Sequence, residues 1–398
     1  MPSDLDRRMD AGMAALTGRN GSMRLGQAGR NGRVLPVIAA APPTLPAYFA
    51  DCAARHPDAT FLVAGAERLS FAEVLAAANR VAAALVGGAR RIRPGDRVGI
   101  AMRNSPAWIA LYMGIVSAGG IATLLNGWWQ ADELEAATKD VGCTLIFADA
   151  PRAERLRAIA GLGATIVEID DAQPLATALA DVVGDACVDA ALPAIGPDDP
   201  ATILFTSGST GRSRGALSCH RAVTQAAFSF LAQSLTMRAI AAEEGEPPRG
   251  QPATLLNLPL FHVTAEVSVM LQSFALGRKL VLMPRWDAEE AMRLMEAERV
   301  TYFVGVPLMS HELLIHPRRG CYDLSSVTDF SAGGAPRPAG HVRRMATDMT
   351  GAPLIGYGLT ETNGVGTGNW RSNYLAKPDS AGRPGRPLEP DHRRATSG

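Results

Sequence analysis

The sequence predicts an α/β fold of mostly parallel sheets covered by helices. Short apolar strand patterns alternate with helical patterns from about residue 45 to residue 360, and such alternation favours parallel sheets with helices on their faces. The chain has 398 residues, of which 47% are hydrophobic, so it can bury more than one packed core. A Pro-rich, acidic stretch at residues 193–200 marks the predicted boundary between subdomains at 41–195 and 196–388.

Local signals place the individual elements. Ser70 and Glu73 have the spacing of a capping box at a helix start, and Asp287 with Glu290 gives a second helix start. Apolar, β-branched runs bounded by turn residues predict strands. These strands are predicted at residues 97–102, 144–147, 165–167, 201–205, 254–257, 280–283 and 302–305.

One apolar stretch could be mistaken for a membrane span. Residues 108–125 carry no charge over 18 positions, the lower limit for crossing a bilayer. The pair Gly119-Gly120 interrupts the stretch, and paired glycines favour a turn. We therefore predict a buried helix that ends near Ala118, a strand at 121–125, and no transmembrane span.

Charge and cysteine usage exclude several protein classes. Lys plus Arg equals Asp plus Glu at 39 each, and this zero net charge gives no reason to expect a nucleic-acid partner. The five cysteines are scattered and form no CxxC pair, which argues against disulfides or a zinc site and predicts a reducing, cytoplasmic setting.

The two ends of the chain show fewer signals of regular structure. Residues 1–40 are predicted to be a mobile extension. Residues 389–398 lack a large apolar side chain and are predicted to be a disordered tail.

A loop rich in Gly, Ser and Thr follows the predicted strand at 201–205. Its glycines allow close approach of a ligand, its hydroxyl and N–H groups can donate to phosphate oxygens, and Arg214 can neutralise charge. It is not a Walker A loop, because Ser213 stands where that motif requires glycine. A flexible surface loop is the alternative. The loop consists of Thr206, Ser207, Gly208, Ser209, Thr210, Gly211, Arg212, Ser213, Arg214 and Gly215.

This loop resembles the Thr-Ser-Gly-Ser/Thr-Thr-Gly-x-Pro-Lys-Gly signature of the adenylate-forming superfamily, with Ser213 in place of Pro and Arg214 in place of Lys. Arg keeps the charge but changes its geometry. Further segments resemble the landmarks of that family, in family order. They are Gly95-Asp96-Arg97-Val98, Met102-Arg103-Asn104-Ser105, Leu258-Pro259-Leu260-Phe261-His262, Gly333-Gly334-Ala335-Pro336 and Tyr357-Gly358-Leu359-Thr360-Glu361.

The resemblance implies a nucleotide site. Tyr357 and Gly358, with Gly333, Gly334, Ala335 and Pro336, would surround adenine, and residues 207–211 with Gly215 would hold the phosphates. Thr206, Arg214, Thr360 and Glu361 would be catalytic, with Glu361 also binding Mg²⁺, a cation that prefers oxygen ligands. Phe261 and His262 would line the acyl site, although His262 could equally be a structural hydrogen-bonding group.

The family branch that resembles this chain most is that of the fatty-acid–CoA ligases. These enzymes use ATP, Mg²⁺ and coenzyme A to convert a carboxylic acid, through an acyl-adenylate, into an acyl-CoA. The implied fold is a stack of mostly parallel sheets. Two alternatives stay open: a non-catalytic nucleotide- or acyl-binding remnant, and an adenylation domain that loads a carrier protein.

The resemblance also implies something beyond residue 388. Family members continue past Gly385-Arg386-Pro387-Leu388 with the distal part of a barrel and a C-terminal domain that carries a lysine near the reacting carboxylate. We therefore expect a truncated member, in which adenylation is slowed because that lysine's stabilisation of transition-state charge is missing. Neither the acid nor the oligomeric state follows from the sequence.

Overall fold

Three sheets organise the protein in the computed structural model, which describes residues 2–30, 32–184, 190–206, 213–246 and 250–385. The strands are β1 (Leu25–Arg30), β2 (Arg33–Ile38), β3 (Thr60–Ala64), β4 (Glu67–Ser70), β5 (Arg97–Ala101), β6 (Ile121–Leu124), β7 (Cys143–Asp149), β8 (Thr165–Ile169), β9 (Pro200–Phe205), β10 (Gly215–Cys219), β11 (Ala253–Leu256), β12 (Lys279–Leu282), β13 (Tyr302–Gly305), β14 (Asp329–Ala332), β15 (Ala352–Gly358), β16 (Gly366–Trp370) and β17 (Arg383–Pro384).

Helices connect these strands and cover their faces. They are α1 (Asp4–Thr17), α2 (Leu45–Arg55), α3 (Phe71–Gly87), α4 (Pro106–Ser117), α5 (Ala131–Val141), α6 (Ala150–Arg157), α7 (Leu175–Ala178), α8 (Ala180–Val183), α9 (His220–Glu243), α10 (Gln272–Leu276), α11 (Ala288–Ala297), α12 (Pro307–Ile315), α13 (Ala339–Asp348) and α14 (Arg371–Ala376), with a π-helix at Thr264–Leu271 and 3₁₀ turns at Arg319–Cys321 and Thr360–Thr362.

The two large sheets are mainly parallel, as predicted. The six-stranded sheet has the order β10-β9-β6-β5-β7-β8, with only β10 antiparallel to its neighbour. The nine-stranded sheet has the order β17-β16-β15-β14-β13-β11-β12-β3-β4, and its central strands from β15 to β3 are parallel. The carboxyl ends of β13, β14 and β15 therefore meet at one edge of this sheet, where a ligand site is expected in an open α/β sheet.

The predicted subdomain boundary at residues 195 and 196 does not separate these sheets. Strands β9 and β10, which follow it, complete the six-stranded sheet, whereas β3 and β4, which precede it, belong to the nine-stranded sheet. The shift in composition marks a surface connection, and strand pairing between distant residues crosses it. Neither large sheet is therefore confined to 41–195 or to 196–388.

The predicted helix starts are confirmed. Ser70 Oγ accepts a hydrogen bond from the Glu73 N–H at 3.2 Å, while the Glu73 carboxylate accepts one from the Ser70 N–H at 2.7 Å. Asp287 likewise accepts from the Glu290 N–H at 2.8 Å at the start of α11. These bonds satisfy N–H groups that have no partner within the helix.

The uncharged stretch at residues 108–125 divides as predicted. Helix α4 is buried at every position, Gly119 has a φ of +80°, which favours glycine, and β6 follows at Ile121–Leu124. Stacked rings of Trp108 and Tyr112, with centroids 5.5 Å apart, belong to the hydrophobic core between the sheets. Within the described residues, no helix combines the length and apolar character needed to cross a bilayer.

The predicted mobile extension at residues 1–40 contains regular structure instead. Helix α1 begins with a capping box between Ser3 and Asp6, and buries Leu5 and Met13 on one face. Arg8 pairs with Glu243 at the end of α9, and β1 and β2 form a hairpin. The sequence interpretation failed here because the apolar stripe is short and its partner helix lies far along the chain. Residues 389–398, the predicted disordered tail, lie outside the described residues.

Candidate active site

A long cleft of about 1850 Å³ runs over one face of the nine-stranded sheet. Alternate residues of β13 line it, from Tyr302 at the amino end through Val304 to Val306 just past the carboxyl end. Its opposite wall consists of α9 and the π-helix at Thr264–Leu271. The α9 residues on this wall recur at helical spacing, which places them on one face. They are Phe230, Gln233, Ser234, Met237, Arg238 and Ala241.

The base of the predicted phosphate loop lies at the edge of this cleft. The Thr206 N–H donates to the Arg214 carbonyl oxygen at 3.0 Å, and both residues line the cleft. Gly215 lies just outside it, paired with Phe205; a β-carbon there would come within 2.9 Å of Ile203. The residues between these ends, Ser207, Gly208, Ser209, Thr210, Gly211 and Arg212, lie outside the described part of the chain.

The end of β15 presents the aromatic-Gly-x-Thr-Glu segment to the same cleft. Tyr357 is 55% exposed, so its aromatic ring is accessible to a planar base in the cleft. A β-carbon on the next residue, Gly358, would collide with the carbonyl oxygen of Gly364. Glycine is therefore required at position 358 for the chain to fold back into β16.

Thr360 and Glu361 follow in a 3₁₀ turn and also line the cleft. The turn closes at Asn363, which has a φ of +51° and accepts a hydrogen bond from Ser218 Oγ at 3.0 Å. Ser218 belongs to β10, whose first residues end the phosphate loop. This buried contact therefore holds the loop and the Thr360–Glu361 turn in register, and sequence reasoning did not find it.

The predicted adenine turn is only partly in the cleft. Gly333 and Gly334 line it, and Gly334 has a φ of +76°. Ala335 and Pro336 are exposed and do not line it. Buried Arg337, another residue that the sequence interpretation missed, donates to the carbonyl oxygen of Leu354 at 3.2 Å and thereby fixes the turn against β15.

Of the two predicted acyl-site residues, only His262 lines the cleft. Phe261 is buried, with its ring 4.7 Å from that of His262 and 5.3 Å from that of Trp128. Desolvation lowers the pKa of His262, which favours the neutral imidazole. Asn104 holds this segment in place, because its amide donates to the Leu258 carbonyl oxygen at 2.7 Å and accepts from the Leu260 N–H at 2.9 Å.

The residues at the edge fit a magnesium ion shared with a phosphate ligand. Glu361 is exposed and has no ion-pair partner among the described residues, and the Thr360 hydroxyl is its neighbour. The same part of the chain contains no group of three or more His, Cys, Asp or Glu side chains suited to a metal. One carboxylate suits Mg²⁺, which commonly takes one or two carboxylates together with water and phosphate oxygens.

Comparison with known proteins identifies a family and several relatives. Residues 49–391 match the AMP-binding enzyme family. A 3-[(3aS,4S,7aS)-7a-methyl-1,5-dioxo-octahydro-1H-inden-4-yl]propanoyl:CoA ligase of Mycobacterium tuberculosis is 33% identical over 338 residues, which are 81% of this chain and 63% of that protein. A long-chain-fatty-acid–CoA ligase of Bacillus subtilis is 28% identical over 373 residues, or 86% of this chain and 64% of that protein.

Solved structures show the same fold. The N-terminal domain of FACL13 from Mycobacterium tuberculosis, with a bound inhibitor, superposes with a TM-score of 0.74 at 29% identity, covering 86% of this chain and 82% of that domain. The chain spans less than two thirds of the length of the two ligases above. The family match covers most of the chain, and the protein therefore belongs to the AMP-binding enzyme family.

Proposed function

We propose that the protein binds ATP and activates a carboxylic acid as an acyl-adenylate, the first half of acyl-CoA formation. One observation supports this more than any other: the two ends of the phosphate loop, Thr206 and Arg214, share a cleft with Tyr357 and the Thr360–Glu361 turn. A nucleotide in that position would stack its base on Tyr357 and extend its phosphates towards the loop. The relatives named as CoA ligases support the same reaction class.

The reaction then follows from charge and position. A carboxylate oxygen of the acid attacks the α-phosphorus, a P–O bond forms, and the bond to the bridging oxygen breaks to release pyrophosphate. Arg214 stabilises the charge that develops on the phosphates, and the Thr360 hydroxyl donates to an α-phosphate oxygen. Mg²⁺ held by Glu361 would supply further charge neutralisation when bound. In the second half, the sulfur of coenzyme A attacks the acyl carbon, AMP leaves, and the thiol proton passes to solvent.

We further propose that the acid is a fatty acid or a related apolar acid. The cleft continues past His262 along the sheet for the length of β13, and Phe230, Met237 and Val304 supply apolar surface there. A small, compact acid would leave most of this length unfilled. The acid's own carboxylate would lie at the edge near Thr360, with its chain running towards Tyr302.

Pyrophosphate exchange tests the proposal directly. Labelled pyrophosphate should enter ATP only when the chain, Mg²⁺ and an accepted acid are present, and a panel of fatty acids should identify the acid. Binding of ATP without exchange for any acid would favour the non-catalytic remnant. Transfer of acyl groups to a phosphopantetheine carrier protein, with none to coenzyme A, would favour the adenylation domain.

Replacing Glu361 with glutamine should weaken binding of Mg–ATP by about tenfold, or about 1.4 kcal/mol, because the amide removes the charge that attracts the metal. The fold should persist, since Glu361 is exposed and makes no ion pair among the described residues. Calorimetric titration with and without Mg²⁺ measures the effect. Glu154→Gln on the exposed face of α6 is the matched control; equal affinity in both variants would remove Glu361 from the site.

A further inference from the structure

The far end of the cleft contains a buried arginine that has no acidic partner among the residues that the structure describes. Arg278 directly precedes β12, is 4% exposed and lines the cleft. Its guanidinium lies over the ring of Tyr302, 5.0 Å from the ring centroid. Its Nη1 atom is buried and makes no hydrogen bond to any residue that the structure describes. A buried charged group is normally paired, so this arrangement calls for a ligand.

Three other cations of the cleft differ from Arg278 because each makes an ion pair. Lys279 pairs with Glu298 at 2.6 Å, Arg299 with Asp323 at 2.7 Å, and Arg371 with Asp329 at 3.0 Å. In the described ranges Arg278 has no such pair. These neighbours therefore show that acids are available nearby and are already engaged with other side chains.

A second cation, Arg238, acts electrostatically on Arg278. Arg238 projects from α9 into the cleft and makes no ion pair with the described residues. Burial chiefly, together with repulsion from Arg238, lowers the pKa of Arg278 to about 10, so it remains protonated at neutral pH. In the described part of the chain, Arg278 and Arg238 thus contribute two positive charges to the far end of the cleft that no ion pair neutralises.

This end is remote from the proposed nucleotide site. Tyr302 pairs with Asp329, which pairs with Ala352, so the three residues lie in one row across the sheet. Tyr357 is five residues further along β15. At about 3.3 Å per residue, the row under Arg278 lies about 16 Å from Tyr357. Val304, two residues beyond Tyr302 on β13, lies between them, and the apolar Met237 also lines the cleft.

We propose that the acid taken by this cleft carries a second carboxylate at its far end, which pairs with Arg278 and Arg238. This inference rests on the proposed function, because it assumes that the reacting carboxylate lies at the Tyr357 end. A long α,ω-dicarboxylic acid fits both ends: one carboxylate at the nucleotide, an apolar chain along Val304 and Met237, and the other carboxylate at the arginines. Arg–carboxylate pairs of this kind are strong when shielded from water.

Calorimetric binding of three matched probes to the whole chain tests the idea: dodecanedioate, its monomethyl ester and dodecanoate. We expect dodecanedioate to bind at least tenfold more tightly than either of the others. In Arg278→Met this preference should disappear, while dodecanoate binds as well as before or better. Arg299→Met is the control, because it removes an ion-paired cation from the same cleft and should keep the preference.

Three results would overturn the inference: equal binding of dodecanedioate and dodecanoate by the unaltered chain, equal binding of the diacid and its ester, or an unchanged preference in Arg278→Met. Thermal unfolding of each variant shows whether folded protein is being compared. If Arg278→Met proves unstable, Arg278→Lys is used instead; it keeps the charge and should retain part of the preference. ATP titration of the same samples tests the proposed function separately. ATP binding without a diacid preference contradicts only the inference made here, and a diacid preference without ATP binding contradicts only the proposed nucleotide chemistry.

Discussion

Gly358→Ala is expected to lower the affinity for Mg–ATP by more than tenfold and to destabilise the fold by about 1–3 kcal/mol. The added β-carbon would collide with the backbone carbonyl of Gly364, a group that cannot turn aside as a flexible side chain could. Relief of the clash requires β15 and β16 to separate where they pair at Gly358 and Gly366. That movement displaces the Thr360–Glu361 turn, which lies between them. Urea unfolding and ATP calorimetry measure the two effects.

Gly340→Ala provides the control for this change. Gly340 lies in the first turn of α13, and a β-carbon there would meet no atom within 4 Å. Alanine also restricts the unfolded chain more than glycine does, so stability should stay equal or rise by up to about 1 kcal/mol. Unchanged ATP binding is expected for this variant. If Gly358→Ala behaved like Gly340→Ala, the close backbone approach at position 358 would not be needed for the site.

The contrast between these two glycines shows what the sequence could reveal. Both positions are simply Gly in the sequence, and only the family resemblance singles out Gly358. The predicted strands and helix starts were correct because their signals are local: an apolar β-branched run, or a Ser and a Glu three residues apart. The N-terminal helix was missed because what stabilises it, α9, lies far along the chain.

Long-range contacts also limited the prediction of the site. The family segments identified the edge of the cleft with Thr206, Tyr357 and Glu361, but not what holds them there. The hydrogen bond from Ser218 to Asn363 joins residues 145 positions apart, and no spacing pattern indicates it. Arg278 has no signal of its own in the sequence. Its importance follows only from its burial and the lack of an acid beside it in the described structure.

Another buried group that the sequence did not reveal is Glu266, in the π-helix on the wall of the cleft. It is 0% exposed, and its Oε1 accepts a hydrogen bond from the Tyr112 hydroxyl at 2.7 Å. Its Oε2 has no partner among the described residues. Burial raises the pKa of Glu266 to about 7 from its ordinary 4.5, and the bond from Tyr112 offsets part of this rise.

This shift makes the stability of the protein depend on pH, with a definite sign. The folded state holds the proton of Glu266 more tightly than the unfolded state does, so the folded form is favoured at low pH. The stabilisation of the folded state by protonated Glu266 is complete below pH 4.5, declines as the pH rises from 4.5 to about 7, and is lost above pH 7. At pH 8 the folded chain therefore carries a buried charge that costs up to about 3 kcal/mol.

Glu266→Gln is accordingly expected to raise the free energy of unfolding at pH 8 by up to about 3 kcal/mol, and at pH 5 by less than about 1 kcal/mol. Urea unfolding from pH 5 to pH 8 should show that the difference in free energy of unfolding between the variant and the unaltered chain grows with pH. Taking this difference cancels the contributions of the other groups that titrate in this range. Tyr112→Phe should enlarge the penalty of the charge, because it removes the bond that favours the ionised form. The exposed Glu154→Gln should show no such difference. A constant offset at every pH would mean that Glu266 has the same pKa in the folded and the unfolded chain, which would contradict the rise in pKa expected from its burial.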